Sequence, residues 1–370
     1  MTRVRADNTL RRRVAAAALV TALVVLLGAS AGAARVRPKC FGKPATIVGS
    51  NGSDRISGTR YSDVIVARGG NDVIKAKGNK ANHGRDVICG GPGNDEIQGN
   101  GDGEKISGGP GHDLINGAHG DDLIVGDDYS EVSADGRTGR DHLLGGFDRD
   151  FIVGDNLSRG DAKGSSPDWI GGNAGGDTVI GDSASFKGDA TGGAPDHVAG
   201  ATGDDIVIGD SYSAHGTARG SGDDKHKKVN KKGGVDGGPG NDLLAGDNYT
   251  FDGTAIGGGN DAIHSADGGD AGNTCKPHTC DDDQYGDNYV ARCGRGHDIA
   301  TIRCQDQATS GGGFDLLTAD QGNDFMNGGP PDNPKASGNR RDRCNGGSGH
   351  DASVHCEYNY RNVERRIKLP

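Results

Sequence analysis

The sequence has few of the residues that build hydrophobic cores. Hydrophobic residues make up 32% of the 370 positions and aromatic residues 4%, with one tryptophan. A thick apolar core is therefore excluded. The 12 prolines are too few, and the 69 glycines too far below one residue in three, for a collagen triple helix. Two options remain: intrinsic disorder, because low hydrophobicity with high net charge does not offset chain entropy, or a fold with periodic glycine.

Sequence motifs of common hydrolases are also missing. The chain contains no H-E-x-x-H, the zinc protease signature, and no G-x-S-x-G, the nucleophile elbow of α/β-hydrolases. No long apolar segment follows Leu27, and no block of sequence is left over for a catalytic domain. Carboxylate pairs for glycoside hydrolysis stay an alternative among so many aspartates, but cation binding explains these residues more simply. We therefore predict that the protein is not an enzyme.

A secretion signal is predicted over residues 1–33. Five arginines among the first 13 residues precede the apolar stretch Val14–Leu27, and small residues follow, with cleavage sites after Ala31 or Ala33. This stretch falls short of the ~20 apolar residues that span a bilayer, which disfavours the alternative of an uncleaved anchor. The sequence thus predicts a secreted, extracellular protein without stable membrane insertion, exported by the Sec route or, alternatively, the twin-arginine route.

The charge balance indicates which partners to expect. The formal net charge is −11, and the predicted leader carries five arginines and only one aspartate, so its removal makes the chain more acidic still. Such a chain disfavours nucleic acid and anionic membrane surfaces as partners and favours cations. A cell-wall or polysaccharide surface is a further candidate partner, and we expect a monomer.

Eight cysteines in an exported chain predict disulfides. Proximity in the sequence suggests three local pairs in the C-terminal third and one that brackets the first repeats. A zinc site formed by Cys275, Cys280 and His278 is the alternative, although its spacing fits no common structural zinc pattern. The predicted pairs are Cys40–Cys89, Cys275–Cys280, Cys293–Cys304 and Cys344–Cys356.

A nine-residue repeat accounts for the glycine. Gly90–Gln98 is a complete G-G-x-G-x-D-x-U-x unit, in which U is a large apolar residue, and Gly108–Asn116 and Gly237–Ala245 match in full. The acidic sixth position recurs at multiples of nine residues, sometimes plus one, for some two hundred residues. The series runs through Asp54, Asp63, Asp72, Asp86, Asp95, Glu104, Asp113, Asp122, Asp141, Asp150, Asp168, Asp177, Asp196, Asp205, Asp242 and Asp261.

These repeats resemble the RTX, or haemolysin-type calcium-binding, nonapeptide family. The resemblance covers most of residues 47–265 and recurs at 311–354. It implies an all-β fold, a right-handed parallel β-roll or β-helix solenoid, in which two nonapeptides form one coil and the x-U-x segments are short strands. It also implies that each glycine-rich half-repeat is a calcium-binding turn. The amino-terminal signal departs from the family, whose members usually leave through a type I channel, so that export route is not carried over.

The chemistry of the repeat agrees with this resemblance. Glycines at positions 1, 2 and 4 allow positive φ and let carbonyls crowd around one point. Calcium takes six to eight hard oxygens, which carbonyls and carboxylates provide. Ile97, Ile115, Ile124, Leu244 and their equivalents are predicted to point inward, one per strand. With so thin a core, several Ca²⁺ ions would supply much of the cohesion.

Calcium between coils would draw carboxylates from residues 18 apart, such as Asp54 with Asp72, Asp95 with Asp113, and Glu104 with Asp122. Glu104 departs from the consensus, which predicts weaker sites. Asp63 and Asp86 flank an irregular insert, so their pairing is left open. The complete predicted ligand set is Asp54, Asp63, Asp72, Asp86, Asp95, Glu104, Asp113, Asp122, Asp127, Asp141, Asp150, Asp155, Asp177, Asp182, Asp205, Asp210, Asp242, Asp247, Asp261 and Asp324.

A second motif overlies the first in the middle of the chain. Five position-6 aspartates are each followed five residues later by a Gly-Asp pair, and an irregular polar segment is expected after each pair. In nonapeptide phase the new aspartate takes position 2, normally glycine. It is either an added calcium ligand or a metal-free Asx-turn at the strand exit. These aspartates are Asp127, Asp155, Asp182, Asp210 and Asp247.

The repeat pattern divides the chain into four parts. We expect a signal peptide at 1–33, N-terminal repeats at 34–125, loop-interrupted repeats at 126–290, and C-terminal repeats with a disulfide-rich cap at 291–370. The favoured function is a secreted, non-enzymatic calcium-binding protein whose roll folds on binding calcium. The alternatives are an adhesive or surface-binding scaffold that presents the loops at 129–136, 156–166, 183–190 and 211–232, and a polysaccharide-modifying enzyme.

Overall fold

A computed structural model describes most of the chain between residues 37 and 264. The described ranges are 37–77, 84–224, 234–240, 242–251, 254–256 and 261–264, followed by the short strands at 283–285, 289–290, 316–318, 325–327, 343–345, 352–354, 358–361 and 365–366. The predicted signal peptide and the basic segment 225–232 lie outside these residues. Within them the secondary structure is strand, and no helix is long and apolar enough to cross a membrane.

Thirty-seven short strands are described. In chain order they are β1 (Lys39–Cys40), β2 (Lys43–Pro44), β3 (Ile47–Val48), β4 (Arg55–Ser57), β5 (Val64–Val66), β6 (Val73–Lys75), β7 (Val87–Cys89), β8 (Glu96–Gln98), β9 (Lys105–Ser107), β10 (Leu114–His119), β11 (Leu123–Val125), β12 (Tyr129–Ser130), β13 (His142–Phe147), β14 (Phe151–Val153), β15 (Leu157–Ser158), β16 (Ala162–Lys163), β17 (Trp169–Ala174), β18 (Thr178–Ile180), β19 (Ala184–Ser185), β20 (Ala190–Thr191), β21 (His197–Thr202), β22 (Ile206–Ile208), β23 (Tyr212–Ser213), β24 (Thr217–Arg219), β25 (Val235–Asp236), β26 (Leu243–Ala245), β27 (Tyr249–Thr250), β28 (Thr254–Ile256), β29 (Ala262–His264), β30 (Asp283–Tyr285), β31 (Tyr289–Val290), β32 (Leu316–Thr318), β33 (Phe325–Asn327), β34 (Arg343–Asn345), β35 (Ala352–Val354), β36 (Tyr358–Arg361) and β37 (Arg365–Arg366).

Two long parallel sheets form the body of the roll. Successive strands alternate between them, so each coil adds one strand to either sheet. Sheet 1 has 13 strands, in the order β3-β5-β7-β9-β11-β14-β18-β22-β26-β30-β33-β35-β37. Sheet 2 has 12 strands, in the order β4-β6-β8-β10-β13-β17-β21-β25-β29-β32-β34-β36. The resemblance to a parallel β-roll is therefore confirmed.

The core between the two sheets holds one large apolar side chain from each strand. Ile97, Ile115, Ile124 and Leu244 are buried, as predicted, and they belong to one continuous cluster with their equivalents in neighbouring coils. Parallel register places like on like: Ile97 pairs with Ile115, and Ile115 with Leu143. Because only two such side chains come from each coil, the apolar core is narrow, and the turns at its two sides must hold the coils together.

The middle coils are longer because each carries a lobe, which we define as residues 128–138, 156–165, 183–193 and 211–221. These segments were expected to be irregular loops, and that expectation was wrong. Each contains two short strands that stack coil upon coil, in the orders β12-β15-β19-β23-β27-β31 and β16-β20-β24-β28. Neighbouring coils are consequently offset by 27 or 28 residues here, against 18 in the early coils.

The lobe covers part of the outer face of sheet 1 and creates a second apolar cluster. Val153 and Ile180 of sheet 1 pack there with Leu157 and Tyr249 of the lobe. At the other end of sheet 1, the antiparallel hairpin β1–β2 packs through Cys40 against Val66 and Val87.

The predicted disulfide between Cys40 and Cys89 is confirmed. It ties the β1–β2 hairpin to β7, with 5.8 Å between the two Cα atoms. The other three predicted pairs involve cysteine side chains outside the described residues.

Candidate metal centre

The position-6 residues stack into two ladders, one at each side of the roll. Each ladder residue ends the turn that precedes a strand, so the parallel register of the strands aligns these residues along the roll axis. The first ladder, before the strands of sheet 2, is Asp54, Asp72, Asp95, Asp113, Asp141, Asp168, Asp196, Asp224 and Asp261. The second ladder, before the strands of sheet 1, is Asp63, Asp86, Glu104, Asp122, Asp150, Asp177, Asp205 and Asp242.

A main-chain hydrogen bond joins successive rungs of each ladder. The backbone N–H of Asp95 donates to Oδ1 of Asp113 at 2.7 Å, and that of Asp113 donates to Oδ1 of Asp141 at 2.7 Å. The predicted neighbours Asp54 and Asp72, and Glu104 and Asp122, are joined in the same way. The contact is unaffected by what lies between the repeats: it spans 18 residues in the early coils, 28 past a lobe and 37 at the end of the second ladder.

The pairing of Asp63 with Asp86, which the sequence left open, is present. The N–H of Asp63 donates to Oδ1 of Asp86 at 2.7 Å, although 23 residues separate them. The extra residues therefore leave the ladder intact.

The second carboxylate oxygen of the ladder residues is buried without a hydrogen-bond donor. Such atoms are rare in folded proteins, because an unsatisfied buried polar group costs about 1–3 kcal/mol, and more when charged. A repeated orphan oxygen therefore indicates a missing cation or proton at each rung. Among the described residues these atoms are Oε1 of Glu104 and Oδ2 of Asp72, Asp95, Asp113, Asp122, Asp141, Asp150, Asp168, Asp177, Asp196 and Asp205.

Glycine at position 1 leaves room beside each orphan oxygen. A Cβ at Gly108 would collide with Oδ2 of Asp113 and with the carbonyl oxygen of Gly126 in the next coil. Gly117 stands in the same relation to Asp122 and Gly145. A carboxylate oxygen and a carbonyl oxygen thus lie together on the side of each glycine where a side chain would be. Both are hard oxygens of the kind that calcium prefers, so the residues present fit this ion.

Burial shifts the ionisation of the ladder residues strongly. Desolvation, reinforced by the carboxylate of the neighbouring rung, raises the pKa of Asp95 to about 7 and that of Asp113 to about 8. Burial likewise raises the pKa of Glu104 to about 8 and of Asp122 to about 9. In the absence of a cation, these carboxylates favour the protonated form around neutral pH.

The Gly-Asp aspartates lie where a lobe leaves and rejoins the body. We call this point the neck. Asp127, directly after Gly126, accepts the N–H of Gly139 at 3.2 Å, and Asp182 accepts the N–H of Ala194 at 3.1 Å. The lobe is therefore inserted between positions 2 and 4 of a nonapeptide turn, and the aspartate closes its base. An Asx-turn would bond two residues onward, so the contact found, 12 residues away, differs from that alternative.

The necks double the acidic density of the first ladder. Asp127, Asp155, Asp182 and Asp210 are fully buried, and each lies close enough to a ladder aspartate for their charges to interact. Desolvation comes first and the carboxylate of Asp141 second in raising the pKa of Asp127 to about 11. Oδ1 of Asp127 has no hydrogen-bond partner among the described residues.

Side chains alone do not enclose a metal in the described part of the chain. No group of three or more His, Cys, Asp or Glu side chains converges there on one point. A cation at a rung would therefore take one or two carboxylates and draw its other ligands from main-chain carbonyls, as the glycine-rich turns allow.

The ladders contain three aspartates that the predicted ligand set omits: Asp168, Asp196 and Asp224. Asp168 and Asp196 do follow the period, and Asp196 donates its N–H to Oδ1 of Asp224 at 2.7 Å. The signal for Asp224 was its offset of 28 residues from Asp196, the length of the neighbouring coils. Of the predicted ligands, Asp324 lies outside the described residues.

Comparison with known proteins agrees with this arrangement. A family model for the RTX calcium-binding nonapeptide repeat, in four copies, matches residues 48–78, 80–97, 98–128, 133–156 and 305–330. No curated protein matches the chain significantly, and neither does any solved structure. The repeat, the parallel roll and the family model lead to one conclusion: the chain belongs to the proteins that carry RTX calcium-binding nonapeptide repeats.

Proposed function

We propose that this is a secreted protein whose roll folds on binding several Ca²⁺ ions at its turns, without catalytic activity. The observation that carries the proposal is the row of buried, donorless carboxylate oxygens along both ladders. A divalent cation at a rung would neutralise those oxygens and link two coils. Without it, ionised carboxylates would face one another across neighbouring rungs, where a narrow apolar core offers little to offset their repulsion.

The proposed ligands are the two ladders and the neck aspartates. Ladder residues would each contribute the oxygen that lacks a donor, and main-chain carbonyls of position-1 glycines would complete the shell. The necks would contribute further carboxylates where a lobe interrupts the turn. The set comprises the 20 residues predicted from the sequence together with Asp168, Asp196 and Asp224.

Export fits the same physical account. The predicted signal peptide at 1–33 would direct the chain out of the cell, and low free calcium inside would keep it expanded until it arrives. We propose the same four-part division of the chain as above, with the change from short to lobed coils near residue 126 as support.

Isothermal titration calorimetry of the chain with residues 1–33 removed tests the binding proposal. Several equivalents of Ca²⁺ should bind, while Mg²⁺, which demands tighter octahedral geometry, should bind far more weakly under the same conditions. Binding of no more than one Ca²⁺ would contradict the proposal.

An adhesive or surface-binding scaffold is the second candidate function. The observation that favours it is the long groove that the lobes form along the roll. The two functions are compatible, because the groove exists only when the coils are stacked.

A further inference from the structure

A groove of 1060 Å³ runs along the roll on one side of the lobes. One wall is a row of in-register residues from the four-stranded lobe sheet: Lys163 lies beside Thr191, Thr191 beside Arg219, and Arg219 beside Ile256. The other wall is formed by Ser165, Gly193 and Ser221. With strands about 4.8 Å apart, the row from Lys163 to Ile256 is about 14 Å long.

The groove is basic on a strongly acidic protein. Arg137, Lys163 and Arg219 line it, against the single carboxylate of Asp135. The three cations are exposed, and among the described residues none of them forms an ion pair, whereas Arg159 on the same lobe pairs with Glu131 at 3.3 Å. In a chain of net charge −11, three unpaired cations gathered in one groove indicate an anionic partner.

The other lining groups narrow down the class of partner. Thr138, Ser165, Thr191 and Ser221 offer hydroxyl groups between the cations, and these both donate and accept hydrogen bonds, as sugar hydroxyls require. No aromatic residue lines the groove, so it lacks the stacking platform that single-stranded nucleic acid uses. An acidic peptide could not join as a strand, because β20 and β24 are already paired on both sides.

We propose that this groove binds an extended anionic polysaccharide, with its chain parallel to the roll axis. The cations at Lys163 and Arg219 are two strands apart, about 10 Å, so they would contact acidic groups on separate sugar units. The inference rests on the roll being folded, as proposed above, and it names the ligand class of the second candidate function.

Binding to defined glycans tests the inference. The calcium-loaded chain with residues 1–33 removed is titrated with oligogalacturonate and with dextran sulfate, which separate a carboxylate source of the anion from a sulfate source. Neutral dextran, polyglutamate and single-stranded DNA are the comparison ligands. We expect at least one acidic glycan to bind in a salt-sensitive way and more tightly than all three comparison ligands.

Two matched triple variants locate the site. Arg137→Gln, Lys163→Gln and Arg219→Gln together remove the groove cations, and binding should weaken roughly tenfold or more. Arg55→Gln, Lys75→Gln and Arg85→Gln make the same charge change at exposed positions on the early coils, and binding should stay within about twofold of the original.

The inference is overturned if neither acidic glycan binds, if polyglutamate or DNA binds as tightly, or if the groove variant binds like the unmodified chain. Circular dichroism of each sample with and without calcium separates this result from the folding proposal. A calcium-dependent roll that ignores glycans contradicts only the groove. A roll that forms without calcium contradicts only the proposed function.

Discussion

The two oxygens of each ladder carboxylate have different surroundings. In Asp122, Oδ1 accepts the N–H of Glu104 at 2.6 Å, while the buried Oδ2 meets no donor. The first oxygen aligns the coils, and the second is available to a cation. One residue type therefore serves both register and binding, because a carboxylate is the shortest side chain with two equivalent acceptors.

Adjacent aspartates allow a controlled test of this division. In Asp122→Asn the amide oxygen can still accept the N–H of Glu104, but the charged oxygen is lost. We expect weaker calcium binding and a free energy of unfolding in calcium lower by about 1–3 kcal/mol. In chelator the same change should be neutral or stabilising, because it removes a buried charge. Calorimetry and chemical denaturation measure both.

The exposed neighbour Asp121 is the matched control, since Asp121→Asn makes the same chemical change one residue away. Its effect on binding should be small. If the two substitutions behaved alike, the ladder would not be the binding site.

At the scale of elements, the nonapeptide turn tolerates insertions without losing its ladder contact. The neck aspartates explain how: Asp155 accepts the N–H of Ser166 at 3.2 Å and Asp210 accepts that of Gly222 at 3.1 Å, so each lobe is closed at its base. A position-2 glycine could not do this. The cost is a second buried carboxylate beside the first ladder.

Replacing Asp155 and Asp182 by Asn distinguishes a ligand from a cap. The amide oxygen keeps the cap to Ser166 and Ala194, while the charge disappears. We expect calcium affinity and stoichiometry to fall while the circular dichroism spectrum in saturating calcium is retained. Unchanged stoichiometry and affinity would show that these aspartates only close the neck.

How far the sequence predicted these elements depends on the strength of each local pattern. Strands of the main sheets carry one large apolar residue at a fixed phase, so Ile97 and Ile115 could be placed in the core. Lobe strands are two or three residues long and rich in Ala and Ser, as in Ala184–Ser185, which reads as loop without the stacking of neighbouring coils. Asp224 was missed because the repeat around it departs from consensus, although the coil length located it.

At the scale of the whole molecule, the ladders make the stability of the metal-free roll depend on pH. The pKa of Asp95 rises from 3.8 in a free chain to about 7 in the roll, and that of Asp122 to about 9. The folded state therefore binds protons more tightly than the unfolded state, and stability is lost as pH rises from about 4 through these values.

We expect the metal-free chain to be more stable at pH 4 than at pH 8, because protonation removes the repulsion between rungs. Calcium should reverse this order, since protons and calcium compete for the same oxygens. Urea denaturation at both pH values, with calcium and with chelator, measures the four stabilities. A metal-free chain that gains stability from pH 4 to pH 8 would contradict the ladder chemistry.

The most direct test of calcium-coupled folding is the far-ultraviolet circular dichroism of the chain in excess chelator, with its disulfides reduced. We predict loss of the β signal under these conditions and its recovery on adding Ca²⁺ but not Mg²⁺. A β signal that persists without calcium and without disulfides would show that the narrow core holds the coils together by itself, and would contradict the account.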